Sequence, residues 1–260
     1  MLIIAENLNV RNKSYFEALR KHDAKSIETI AETLSEKGAD LINIQCSTDG
    51  IGDEELMPKV ADLVQKKTNL PLCLDSRNIA ALEKTVDLCQ KPPMINYLSA
   101  DEADPNKILK LVRNSGAHLI LRALKGGVPT TFEGKLFILE NLVEKANAED
   151  IPNERLYADP SVVHIARDPG QSNIVNTHYI ITALNEMVEP PINTIAWISN
   201  ISTGLPKAVK SKMNSAFLLY LAGAGLDAAF VDVTDPEIMK TIYLIKAFRD
   251  EVVFSITDIY

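Results

Sequence analysis

The sequence predicts an α/β protein built as a single (βα)8 TIM barrel over residues 1–260. Three observations carry that expectation. A phrase of short apolar run, polar turn and helical stretch recurs eight times. The phrases average about 32 residues, the length of one strand-plus-helix unit. No G-x-G-x-x-G follows an early strand, which argues against an open dinucleotide-binding sheet.

The apolar runs fall at 2–5, 41–44, 72–74, 94–96, 119–124, 156–158, 194–198 and 228–231. Helices are expected over 23–37, 54–68, 77–90, 102–115, 133–149, 173–188, 207–224 and 235–249. In the first, Ile27, Ile30, Ala31 and Leu34 recur at i, i+3, i+4 and i+7, which puts them on one face. Ile238, Ile242, Ile245 and Phe248 give the last helix a face of its own. Gly38 and Gly116 stand where helices end and a left-handed cap is needed. Asp101 and Asp235 stand where N-caps belong, and Pro236 follows at a first helical position. Strands that alternate with helices pair in parallel, because each crossover helix returns the chain to the same end. Eight such units close into a barrel of about 250 residues.

Composition narrows the function classes. Hydrophobic residues make up 46% and charged residues 24%, a globular balance that excludes a disordered chain, a collagen-like fibre and a coiled coil. The net charge is −8, from 27 basic and 35 acidic residues, and no Lys/Arg cluster stands out. Nucleic acid and anionic membranes are therefore not expected as partners. No apolar run approaches the ~18 residues of a membrane span. The opening MLIIAENLNV lacks a basic n-region and reaches Glu6 too early for a signal peptide, so a cytoplasmic chain is expected. Cys46, Cys73 and Cys89 are too few and too scattered for a disulfide framework. Cys73 reads as a small hydrophobe inside the barrel.

In such a barrel the site lies at the C-terminal ends of the strands. Glu6, Asn7 and Asn9 stand there after the first run, Asn43 and Gln45 after the second, and Asp75 and Ser76 after the third. Asn96 ends the fourth run, Arg122 lies in the fifth with Lys125 in its loop, and Asp159 follows the sixth. Ser199, Asn200 and Ser202 follow the seventh, and Asp232 the eighth. The set is rich in Asp and Asn and contains no histidine. His118 falls at the opposite end, and His164, in the loop after the sixth run, is within reach of the mouth. A metal hydrolase would present His ligands, so no metal site is expected. Carboxylates and amides in one mouth suit a flat heterocycle with many donor and acceptor edges.

Each residue also has a bland reading. Asp75 can cap a helix, Asp159 can turn the chain before Pro160, and Asn96 can bond a loop backbone. Asp101 and Asp232 read as caps or turn residues. Together, however, Asp75, Asn96, Asp159 and Asn200 end strands three, four, six and seven, and should face one cavity.

The motifs LCLDS (72–76), MIN (94–96), YADP (157–160), SNIS (199–202), GLP (204–206) and N-x-x-FL (214–218) resemble the pterin-binding methyltransferases. Nearest in length and plan are the methyltetrahydrofolate:corrinoid protein methyltransferases; the folate module of cobalamin-dependent methionine synthase and dihydropteroate synthase are more distant. The resemblance runs over nearly the whole chain. It implies a homodimeric barrel that binds tetrahydrofolate or methyltetrahydrofolate. Asp75, Asn96 and Asp159 would hold the pterin edge, and Asn200 would sit by nitrogen 5. Ser199, Glu6, Asn7, Gln45 and Arg122 complete the expected binding wall. The methyl group would pass between nitrogen 5 and the cobalt of a corrinoid carried by another protein that docks over the mouth. Lys125, Lys207 and Lys210 are candidates for the anionic glutamate tail, although each also reads as solvated surface.

A tertiary amine leaves poorly as the free base, so transfer is helped when nitrogen 5 gains a proton or a strong hydrogen bond. Asn200 can donate or accept there after a small rotation. No mouth residue reads as a dedicated acid near neutral pH, which leaves the proton to water. One departure stands out: the related methyltransferases usually carry D-x-N after strand two, where this chain has Asn43 and Gln45. Two other readings compete. A dihydropteroate synthase would need a basic S-R-K type motif after strand seven and Arg-x-His after strand eight; this chain has SNISTG and ends VVFSITDIY. A pterin-binding protein without turnover is the third.

Overall fold

The computed structural model describes residues 1–259. Eight strands close a fully parallel barrel in chain order, with β8 pairing back onto β1. They are β1 Leu2–Leu8, β2 Leu41–Ile44, β3 Leu72–Asp75, β4 Met94–Ser99, β5 His118–Arg122, β6 Leu156–Asp159, β7 Asn193–Trp197 and β8 Ala228–Val231. The helices are α1 Lys13–Arg20, α2 Ala24–Glu36, α3 Asp53–Gln65, α4 Ile79–Val86, α5 Pro105–Ser115, α6 Phe132–Ala148, α7 Gly170–Met187, α8 Lys207–Gly223 and α9 Pro236–Phe248.

The expected barrel and its eight units are present, with three local corrections. α1 is an additional helix. Asn12 caps it, accepting from the amides of Ser14 and Tyr15, and it buries Tyr15, Ala18 and Leu19. That is an i, i+3, i+4 stripe in only eight residues, too short for periodicity to stand out. Asp101 caps nothing, because α5 begins four residues later; its carboxylate accepts from the Gly126 amide at 2.7 Å instead. Asp75 does not cap α4 either. Asn78 does, accepting from Ala81 N at 3.1 Å, which leaves Asp75 to the barrel. Asp235 and Pro236 open α9 as expected, with the Asp235 carboxylate accepting from Glu237 N at 3.0 Å.

The barrel interior follows from the period of two along a strand. Ile4, Leu41, Cys73, Met94, Ile120, Ile195, Ala228 and Phe230 form one buried apolar cluster, distinct from the larger core between sheet and helices. Two residues further along, the same face carries Glu6, Asn43, Asp75, Asn96, Arg122, Trp197 and Asp232. Tyr157 packs against the apolar plug, and Asp159 follows it in the same phase. An apolar plug thus closes the lower barrel, and a polar layer lies above it.

Two register irregularities modify that layer. The β1–β2 pairing shifts between Ala5 and Leu8, and the β4–β5 pairing between Ile95 and Leu98. A bulge re-aims side chains that strict alternation would send to opposite faces. As a result, Glu6 and Asn7 both line the mouth, and so do Asn96 and Tyr97.

Candidate active site

The mouth is a cavity of about 940 Å³ at the C-terminal ends of the strands. Glu6, Asn7, Gln45, Asp75, Asn96, Arg122, Ser199 and Asn200 all line it. Of the expected wall residues, Asp159 alone is not among its lining residues. It is buried behind Arg122, with Arg122 Nε 3.4 Å from Asp159 Oδ2. Lys207 and Lys210 line the cavity, whereas Lys125 and His164 are not among its lining residues. Asp232, read from sequence as a turn residue, is both a turn residue and part of the wall. Its Oδ1 accepts from Thr234 N at 2.9 Å and from the side-chain amide of Asn7.

On the β3–β6 side, charge is compensated. Asp75 Oδ2 accepts from Gln45 Nε2 at 2.8 Å. Burial raises the Asp75 carboxyl to about 6; the Gln45 hydrogen bond and the Arg122 charge oppose the rise. Arg122 lies over the Tyr97 ring, 4.7 Å from its centre, and Nε donates to Ser161 Oγ at 3.3 Å. Burial also pushes Asp159 up, against the Arg122 guanidinium, the Ser161 amide and Lys135. Lys135 on α6 is fully buried and donates to Ser161 O at 3.0 Å and Thr177 Oγ1 at 3.3 Å. Burial lowers it to about 8, with Asp159 opposing. Sequence reasoning missed Lys135, although a signal was present. It stands in helical phase with the buried Leu139, Leu142 and Ala146, at i, i+4, i+7 and i+11, where a surface lysine does not belong.

On the β1–β7–β8 side, no guanidinium is in contact with a carboxylate. Glu6 is buried and accepts from Ser199 Oγ at 2.8 Å. Its carboxyl is pushed up to about 7, chiefly by burial, with Asp232 adding to the rise; hydrogen bonds from Ser199 and Trp197 and the more distant charge of Arg11 oppose it. The expectation that no mouth residue is an acid near neutral pH is thereby corrected, because burial sets this carboxyl and burial is not visible in the sequence. Asn200 sits on a 3-10 turn, Ile198–Ser202, directly after Ser199. Trp197 stacks on Phe230 with ring centres 4.4 Å apart.

The donor set fits a flat, polar heterocycle. Acceptors (Asp75, Glu6, Asp232) and two-way amides (Asn96, Asn200, Gln45) converge on one cavity that Tyr97 and Trp197 also line. Among the described residues that line the cavity, Asn7 Oδ1 is buried without a hydrogen-bond partner, an unmet polar demand in the wall.

The whole-chain comparison agrees with that chemistry. The pattern of the pterin binding enzyme family matches residues 5–232, and the chain belongs to that family. It is 28% identical over 246 residues to a methylcorrinoid:tetrahydrofolate methyltransferase of Eubacterium limosum, covering 94% of this chain and 89% of the relative. It is 27% identical over 244 residues to methionine synthase of Mycobacterium tuberculosis, covering 89% of this chain but only 20% of that much longer protein. The fold superposes on dihydropteroate synthase of Yersinia pestis with a TM-score of 0.71 at 14% identity, covering 96% and 93% of the two chains.

Proposed function

We propose that this chain moves a methyl group between nitrogen 5 of tetrahydrofolate and the cobalt of a corrinoid carried by a separate protein. The observation that carries the reading is the convergence of Asp75, Asn96 and Asn200 on one cavity in a chain that resembles such a methyltransferase over most of its length. Asp75 and Asn96 hold the amino-pyrimidinone edge of the pterin, and Gln45 fixes the Asp75 carboxylate by its hydrogen bond. Asp159 acts from behind, as the counter-charge that orients Arg122. Asn200 bonds nitrogen 5 and follows its change of charge as the methyl group leaves or arrives. Glu6, Asn7 and Ser199 form the wall beside it. When docked, the corrinoid supplies cobalt(I) as the methyl acceptor, or methylated cobalt as the donor. This chain's task is to orient the pterin at an open mouth. Lys207 and Lys210, on the rim at the start of α8, meet the anionic tail of the folate.

A homodimer belongs to the same proposal. The adjacent helices α6, α7 and α8 expose Phe137, Val175, Tyr179, Leu219 and Tyr220, and residues 170–185 of α7 carry no Asp, Glu, Lys or Arg. An uncharged apolar face of this kind suits an isologous contact. Light scattering at micromolar concentration should give twice the 28.7 kDa chain mass. Among the described residues no helix is long and apolar enough to cross a membrane, and we place the reaction in the cytoplasm.

The test is spectral. Protein, methyltetrahydrofolate and reduced cobalamin are mixed anaerobically, and the reverse pair, methylcobalamin and tetrahydrofolate, is run alongside. Turnover in either direction supports the reading. Absence of tetrahydrofolate binding by calorimetry would sink it.

A further inference from the structure

We propose that Glu6 holds the proton that nitrogen 5 takes up when the methyl group departs and gives back when it arrives. The inference rests on the methyl-transfer reading above and assigns the proton within it.

The geometry is that of a short relay. The Glu6 carboxyl lies in the cavity wall and is bonded to the Ser199 hydroxyl at 2.8 Å. Ser199 directly precedes Asn200, and both line the same cavity. A carboxyl, a hydroxyl and an amide therefore follow one another along one wall. The neighbouring groups leave Glu6 free for this role. Asp232, on the adjacent β8 end, is already engaged by Asn7 and Thr234. β2, on the other flank, ends in the amides Asn43 and Gln45 and offers no carboxyl. Asp75 is engaged by Gln45 and faces the Arg122 charge. Among the described residues, Arg11 is the cation that acts on Glu6, and its effect is the smallest of those on that carboxyl.

The step balances. As the methyl carbon leaves, its bond to nitrogen 5 breaks and the electron pair of that bond stays on nitrogen. The pair for the new carbon bond comes from cobalt(I) of the corrinoid. Ser199 passes its hydroxyl proton into the cavity toward nitrogen 5 and takes the Glu6 proton in exchange, leaving a carboxylate. In the reverse direction nitrogen 5 gives up its proton and the carboxylate collects it. A group serving both directions works best when its two forms are both populated at the working pH. Burial and the nearby Asp232, opposed by Ser199, Trp197 and Arg11, put Glu6 at about 7.

Two measurements on the intact protein test this. The first is single-turnover methyl transfer with methyltetrahydrofolate and reduced cobalamin across pH 5.5–9. Wild type should show a rate limb centred near 7. Glu6→Gln should be slower by about 10²-fold at the acid end, the lower range for one positioned acid, and flat through 7. Asn200→Ala should be slow but keep the limb. The second is thermal unfolding of wild type and Glu6→Gln over pH 5–8. A carboxyl whose pKa is higher in the fold than in the unfolded chain weakens the fold as pH rises between the two values. Glu6→Gln should therefore gain Tm relative to wild type as pH rises, and the shift must level off above 7. A Glu6→Gln variant that is fast, or slow with the wild-type limb intact, overturns the proposal. A Tm difference independent of pH overturns it as well. Should Glu6→Gln fail to fold, Ser199→Ala tests the relay: it must slow transfer by more than it weakens tetrahydrofolate binding, and a wild-type rate overturns the assignment. Absence of turnover by wild type, with the Tm behaviour as expected, overturns the methyl-transfer reading and the proton role with it.

Discussion

The two halves of the mouth differ in how they treat a buried carboxylate. On the β3–β6 side, Asp75 and Asp159 share the field of Arg122, and Lys135 stands behind them. On the β1–β7–β8 side, Glu6 and Asp232 have hydroxyl and amide partners but no cation in contact. Burial raises both carboxyls by similar amounts, Asp75 from 3.8 to about 6 and Glu6 from 4.5 to about 7. The difference lies in the partners and teaches a division of labour. A carboxylate beside an amide and a guanidinium is held as a fixed acceptor for a donor edge. One bonded to a hydroxyl has a group through which a proton can pass.

The largest expected effect removes the compensation. Arg122→Met leaves Asp159 buried beside Lys135 alone and should cost about 3 kcal/mol of stability near neutral pH, the lower end for breaking a buried pair. Urea unfolding of the variant measures it, and a loss below experimental error would show that the two walls do not differ in this way. Next comes Asn200→Ala, which should slow methyl transfer by on the order of 10²-fold while leaving tetrahydrofolate affinity nearly intact. Rapid-mixing rates and calorimetry on one preparation separate the two effects, and an unchanged rate would remove Asn200 from the chemistry. Asp75→Asn trades a charged acceptor for a neutral one and should weaken tetrahydrofolate binding by about tenfold, since a hydrogen bond to a charged group contributes about 1.5–3 kcal/mol. Wild-type affinity in calorimetry would deny Asp75 its place at the pterin edge.

The smallest effect sharpens the comparison on its cationic side. Lys135 sits at about 8 in the fold, below an exposed lysine. A cation whose pKa falls on folding weakens the fold while it is charged, so the wild type should gain stability as pH rises through 8. Lys135→Met lacks that titration. The Tm difference between the two should shift in favour of wild type between pH 7.5 and 9.5. A constant difference would mean that Lys135 is not desolvated as its burial indicates.

By itself the sequence determined the barrel and most of the site inventory. Eight strand–helix phrases allow only parallel pairing, and period two along each strand places Glu6, Asp75, Asn96 and Arg122 in phase with the apolar residues two positions before them. Those relations are local, so a linear reading captures them. The tertiary structure decided the rest, because the rest depends on neighbours distant in sequence. The register shifts in β1 and β4 bring Asn7 and Tyr97 to the mouth beside Glu6 and Asn96, against strict alternation. Arg122 and Asp159 meet because β5 and β6 pair in a register that sets them side by side. Asp159, in that contact, is not among the residues that line the mouth. Burial, which only the closed barrel creates, made an acid of Glu6 near neutrality and held Lys135 in the core. Residue types fixed which groups were present; desolvation and the reach of charge fixed what each of them does.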